Sequence, residues 1–140
     1  MELRKARASL AAGTEMPTSR RQSLRRAVAF VSECRQLSDY MPAQTLACLL
    51  VIARKPGITM QELAKKVRLK QSSCSRNVAV LSRWEQFGKP GLDLVESIDD
   101  PRERRRKIIY LTANGEQRVQ SIVRKLDPTF ELPKARLASA

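Results

Sequence analysis

The chain has 140 residues, enough for one hydrophobic core of modest size and too few for two. Its 27 Lys and Arg against 14 Asp and Glu give a formal net charge of +13 and a pI near 10.5, which points to an anionic partner, nucleic acid ahead of an anionic membrane surface. There is no histidine, and the three cysteines (Cys34, Cys48, Cys74) show no CxxC spacing, so neither a disulfide scaffold nor a Cys/His metal site is expected, and no cofactor.

No segment approaches the roughly 18 apolar residues of a membrane span, and no basic stretch followed by an apolar run and a cleavage site opens the chain. A cytoplasmic, nucleoid-associated protein without a membrane partner is the expectation. A Gly-rich phosphate loop and a nucleophile elbow are also missing, and Asp99 and Asp100 sit beside arginines on an expected hairpin turn. The chain is not expected to be an enzyme.

Residues 1–22 are rich in Arg, Ser, Ala and Thr and read as a basic, flexible arm, either a solubilising tail or a strand of charge that follows DNA. A helix over residues 23–38 follows, with Leu24, Ala27, Val28, Val31, Cys34 and Leu37 on one stripe. Pro42 suits the first position of the next helix, where its missing amide costs nothing. Leu46, Leu49, Leu50 and Ala53 form the buried face of that helix, and Lys55-Pro56-Gly57 ends it. All three cysteines fall on apolar stripes and read as small buried side chains.

Thr59 and Glu62 have the spacing of a capping box, in which the hydroxyl accepts an amide of the first turn and the carboxylate reaches back to the Thr59 amide. A helix therefore starts at Met60, with Leu63, Ala64 and Val67 on its inner face. After the break at Arg68 to Gln71 a second apolar series begins, Cys74, Val78 and Leu81. Two short helices joined by a tight turn make a helix-turn-helix. On the second helix, read as residues 71–84, Ser72, Arg76, Ala79 and Arg83 lie opposite the core stripe, flanked by Ser73 and Ser75.

Small polar side chains permit close approach to a major groove, and Arg pairs bidentately with guanine. Ser72, Ser73, Ser75 and Arg76 are the candidate base-contacting residues. Lys65, Lys66, Lys70 and Arg83 are the candidate phosphate contacts, which supply affinity with little sequence information. Residues 54–89 carry nine Lys and Arg against Glu62 and Glu85, a concentration of charge that favours a binding face.

Trp84 to Gly91 ends the helix in turn residues. Leu92 to Ile98 alternates as a strand does, and Ile108 to Leu111 is a β-branched run. Between them Asp99 to Arg106 reads as a hairpin whose tip carries Arg102, Arg104, Arg105 and Arg106. A hairpin after a helix-turn-helix is a wing, and its arginines suit a narrow minor groove or phosphates. The fold class is thus mainly α with a small β-hairpin wing, a winged helix-turn-helix. The wing is residues 99–107.

Three features carry a family resemblance: the order of the elements, Gln71-Ser72-Ser73-Cys74-Ser75-Arg76, and Asp100 to Lys107 leading through a strand to Leu111-Thr112-Ala113-Asn114-Gly115. Over roughly residues 24–126 the chain resembles the MarR family of winged helix-turn-helix regulators. The resemblance implies a homodimeric, double-stranded-DNA-binding transcription regulator, a repressor acting by promoter occlusion. It also implies that Glu103 orients Arg105 for the minor groove and that Thr112 caps the next helix.

The chain departs from that family in three places. Glu103 stands where the family usually has Asp, the link from Trp84 to Gly91 is long, and Pro128 and Pro133 interrupt the end of the chain. The expected division is a basic arm (1–22), a winged-helix domain with flanking dimerisation helices (23–126) and a short extension (127–140). Dimerisation then rests mainly on residues 20–40 and 113–126, with Phe130, Leu132 and Leu137 as additions. The residues identify no small-molecule effector. A non-specific DNA-coating or protein-docking winged helix remains open on the same residues.

Overall fold

Pro17 opens the first helix, α1 (Thr18–Arg35), its carbonyl accepting the amides of Arg20 and Arg21 at 2.9 and 3.0 Å. The computed structural model describes residues 16–84 and 88–133; the rest of the basic arm, Phe87 and Leu137 lie outside them. The helix thus begins within the segment expected to be a flexible arm and ends at Arg35, three residues before the expected limit. Ser19 to Gln22 contain nothing that breaks a helix once Pro17 has set its start. Leu24, Val28 and Val31, the expected stripe, are 54, 66 and 54 % exposed, and Cys34 is the one fully buried residue of α1.

Pro42 stands just before α2 (Ala43–Arg54) and accepts the Leu46 amide at 3.1 Å. The buried residues of α2 are Thr45, Cys48, Leu49 and Ile52, while Leu46, Leu50 and Ala53 are half-buried. The helix is apolar nearly all round, so its periodicity did not select the inner face.

The strand β1 (Ile58–Thr59) runs into α3 (Met60–Val67), whose first turn is capped by Thr59 Oγ1 accepting the Glu62 amide at 3.1 Å. The Glu62 carboxylate takes Lys55 as its partner instead of the Thr59 amide, so half of the expected capping box is formed. Arg68, in the left-handed region at φ 55°, closes α3, and the Leu69 amide donates to the Ala64 carbonyl at 3.0 Å. This tight turn delivers the chain to α4 (Gln71–Leu81).

The helix α4 stops at Leu81, three residues before its expected end. Its last carbonyls are satisfied by the returning chain: the amides of Leu92, Leu94 and Asp93 donate to Val80, Leu81 and Ser82 at 3.0, 2.8 and 3.2 Å. Leu92 to Leu94 therefore pairs with the helix end and not with the sheet. The wing strands are β2 (Val95–Asp100) and β3 (Glu103–Leu111), antiparallel from Val95 opposite Leu111 to Ile98 opposite Ile108, with a register shift at Asp99 and Asp100. In the three-stranded sheet β3 is central, between β1 and β2.

Thr112 caps α5 (Ala113–Arg124), accepting the Gly115 amide at 3.0 Å and donating to the Asp93 carbonyl at 2.7 Å. A Cβ on Gly115 would lie 1.9 Å from the Leu94 carbonyl oxygen, so only glycine lets α5 pack this closely on the strand entry. The core gathers Leu49, Ile52, Ile58, Leu63, Leu81, Leu94, Val95, Ile109 and Val119 from every element except α1. Among the described residues no helix is long and apolar enough to cross a membrane.

Candidate nucleic-acid interface

The exposed face of α4 carries Ser72, Ser75 and Arg76, because Cys74, Val78 and Leu81 turn the opposite face into the core. Ser73 is half-buried and lies toward α2, its carbonyl accepting the Asn77 side-chain amide at 2.8 Å. Asn77 Oδ1 in turn accepts the hydroxyl of buried Thr45 at 2.6 Å. This polar link ties α4 to α2; the sequence reading missed it because Asn77 sits between core positions. Lys65, Lys66 and Lys70 are exposed around the turn from α3 to α4.

Arg83 falls beyond the helix, not on it. Its guanidinium lies 5.8 Å from the centre of the exposed Trp84 ring, and its carbonyl accepts the Gly91 amide at 2.9 Å.

The hairpin turn is only Pro101-Arg102. Arg104, Arg105 and Arg106 lie within β3 but have no partner on β2: Asp99 stands opposite Lys107 and Asp100 opposite Glu103, so the three arginines occupy the register shift beside the turn. Asp100, 6 % exposed, holds the turn: its Oδ1 accepts the Arg102 amide at 2.9 Å, and its Oδ2 accepts Arg106 Nε at 2.9 Å and Nη2 at 2.8 Å. These bonds, the Arg102 amide first and the Arg106 side chain second, hold the Asp100 carboxyl below the usual aspartate range. The same carboxylate raises the Arg106 guanidinium further.

Glu103, expected beside Arg105, makes its ion pair with Arg106, at 3.8 Å. Lys107 is paired with Asp99. Arg102, Arg104 and Arg105 are exposed and form no ion pair among the described residues. The wing thus sorts its cations into two that hold its shape and three that face outward.

The two elements meet. A cleft of about 550 Å³ is bounded by Gln71, Ser72 and Ser75 of α4 on one side and Glu103, Arg105, Arg106 and Lys107 of β3 on the other, with Met60 and Gln61 between them. The sequence reading named Gln71, Asp100 and Lys107 only within longer stretches, gave none of them a site role, and passed over Gln61; the Asp-Pro turn and the helix-opening glutamine were the available signals. A separate apolar cleft of about 440 Å³ lies between α2, α5 and the following segment, lined by Leu50, Ala53, Val119, Val123, Phe130 and Leu132. Among the described residues no three His, Cys, Asp or Glu side chains come together as a metal site would need.

A helix-turn-helix followed by a two-stranded wing, both facing one basic cleft, defines a winged helix-turn-helix protein. Residues 41–85, the α2–α4 segment, match the model of the MarR family. Among solved structures the chain is similar to MarR itself, at 28 % identity with a TM-score of 0.55, covering 72 % of this chain and 66 % of that one. It is also similar in fold to a MepR–DNA complex from S. aureus, at 22 % identity and TM-score 0.60, covering 78 % of this chain and 82 % of that one. A third likeness in fold is to reduced AbfR bound to DNA, at 15 % identity and TM-score 0.56, over 93 and 85 % of the two chains.

The chain spans about two thirds of the length of the MarR structure it matches. No curated protein sequence matches it. The α2–α4 segment is thus similar to the MarR family model, and the fold is that of the winged helix-turn-helix structures named above.

Proposed function

We propose that the chain is a sequence-specific double-stranded-DNA-binding transcription regulator, a repressor that acts as a homodimer on a pseudo-palindromic site in the cytoplasm, at the nucleoid. The observation that carries this reading is the shared cleft: Ser72 and Ser75 of α4 and the outward-facing Arg105 of the wing line one basic surface. With α4 in a major groove, Ser72, Ser75 and Arg76 meet base edges, Ser73 sits at the margin, and Arg105 lies toward the adjoining minor groove with Arg102 and Arg104. Lys65, Lys66, Lys70 and Arg83 serve the backbone. Glu103 and Asp100 keep the wing in shape.

The homodimer is supported by the apolar stripe of α1. Leu24, Val28 and Val31, with Leu126 beyond α5, are exposed in the single chain and line up at helical spacing, which suits burial against the same helix of a second copy. Repression follows from occlusion of a promoter by a protein bound across it.

Selection from randomised duplex DNA at about 150 mM salt, where purely phosphate-driven binding is suppressed, tests the reading. The expected result is an inverted repeat with half-sites about one helical turn apart. Tight binding at low salt without any enriched sequence would overturn base reading and leave a DNA-coating or protein-docking module.

A further inference from the structure

Two exposed glutamines line the cleft between α4 and the wing: Gln71, the first residue of α4, and Gln61, the second of α3. Among the described residues neither side chain makes a hydrogen bond, whereas Asn77, Asn114 and Gln120 are tied into the fold by contacts with Ser73 and Thr45, with the Asp93 carbonyl and with the Leu132 amide. Donor and acceptor of both cleft amides are thus left for a group outside the chain.

We infer that Gln71 reads an adenine in each half-site of the duplex, its amide oxygen accepting from N6 and its amide nitrogen donating to N7. This role rests on the DNA binding proposed above and gives that surface a named base. A side-chain amide holds one acceptor and one donor group in a single plane, and on the major-groove edge only adenine sets an acceptor beside a donor. Guanine offers two acceptors, thymine an acceptor and a methyl group, and cytosine a donor alone, so each leaves half of the amide unpaired. A group left unpaired on desolvation is costly, and that cost is the discrimination.

Place in the fold separates the two glutamines. The recognition helix of a helix-turn-helix presents its N-terminal residues to base edges, while the helix before it crosses the backbone. Gln71 opens α4 beside Ser72 and shares the cleft wall with Ser75; Gln61 lies on α3. The phosphates have other partners. Lys65, Lys66 and Lys70 are exposed around the same turn, and a neutral amide adds little beside them.

The test repeats the selection from randomised duplex DNA at about 150 mM salt with the natural chain, Gln71→Ala, Gln71→Glu and Gln61→Ala, each verified as folded by thermal unfolding followed by circular dichroism. The natural chain is expected to select an adenine at one position of each half-site. Gln71→Ala is expected to relax that position alone, its preference for adenine falling at least about fivefold, the lower end of what a bidentate pair contributes. Gln71→Glu, whose carboxylate suits a helix N-terminus and accepts from cytosine N4, is expected to move the same position to cytosine. Gln61→Ala is expected to keep the adenine. A selected repeat without adenine, an adenine retained by either Gln71 variant, uniform weakening across sequences, or an adenine lost with Gln61→Ala instead overturns the role of Gln71 and leaves sequence-specific binding standing. A natural chain that enriches no sequence overturns both, and that result is read without any variant.

Discussion

Asp100 takes both the Nε and the Nη2 of Arg106, at 2.9 and 2.8 Å, while its other oxygen accepts the Arg102 amide at 2.9 Å. One nearly buried carboxylate thereby ties the turn of the wing to the strand that carries its arginines. The cost is that Arg106, one of four adjacent cations, is partly neutralised by Asp100 and Glu103.

The carboxyl of Asp100 is held below its ordinary range in the folded chain, whereas an unfolded aspartate titrates near about 3.9. Its bonds therefore contribute stability above that pH and lose it as pH falls through the lower folded value. Urea unfolding of the natural chain and of Asp100→Asn is expected to show a gap at pH 6 that narrows below about pH 4. A gap that stays constant into acid would show that the carboxylate's charge is not what holds the wing.

Among the wing arginines the order of effect is set by which of them are already paired. Arg105→Ala is expected to weaken binding to the selected duplex by about 1–3 kcal/mol. Arg106→Ala is expected to cost less direct affinity and to lower stability, because its guanidinium serves Asp100. Fluorescence anisotropy and urea unfolding on the same two variants separate these effects, and equal losses of affinity with no change in stability would reverse the assignment.

Gly115 supports the wing from behind. Gly115→Ala sets a methyl 1.9 Å from the Leu94 carbonyl oxygen, a backbone atom that cannot swing aside. A loss of at least about 2 kcal/mol is expected from this overpacking, read from the denaturant midpoint. A change under half of that would mean that α5 slides along the strand entry at little cost.

The exposed α1 stripe offers a test of the proposed dimer. Val28 is 66 % exposed, so Val28→Glu is expected to leave the fold of a single chain intact. Sedimentation equilibrium is expected to show the natural chain at twice the monomer mass and the variant at the monomer mass. A variant that stays dimeric would place the interface elsewhere.

Much of this chain was legible in its order of residues, for local reasons. Thr59 and Thr112 cap the helices that follow them through hydroxyl bonds to amides three residues on, at 3.1 and 3.0 Å, a geometry contained within four residues. Cys74, Val78 and Leu81 recur at helical spacing and are buried together, which turned Ser72, Ser75 and Arg76 outward. Basic charge around residues 54–89 and the residues leading to Leu111-Thr112-Ala113-Asn114-Gly115 were likewise enough to single out the helix-turn-helix and its wing.

What only the tertiary structure decided involves groups far apart in the chain or competing for one partner. Periodicity could not rank four neighbouring arginines; the fold did, by giving Arg106 and not Arg105 to Asp100 where the register of the two strands shifts. Nor could it end α4 at Leu81, since what satisfies its last carbonyls is backbone from Leu92 to Leu94, across a link whose path spacing does not encode. The contact of Thr45 with Asn77 and that of Cys74 with Met60 have the same origin. Hydrogen bonds within a turn are written in adjacent residues, whereas the choice among equivalent charges and sulfurs is made by packing, which brings one of them within reach and leaves the others in water.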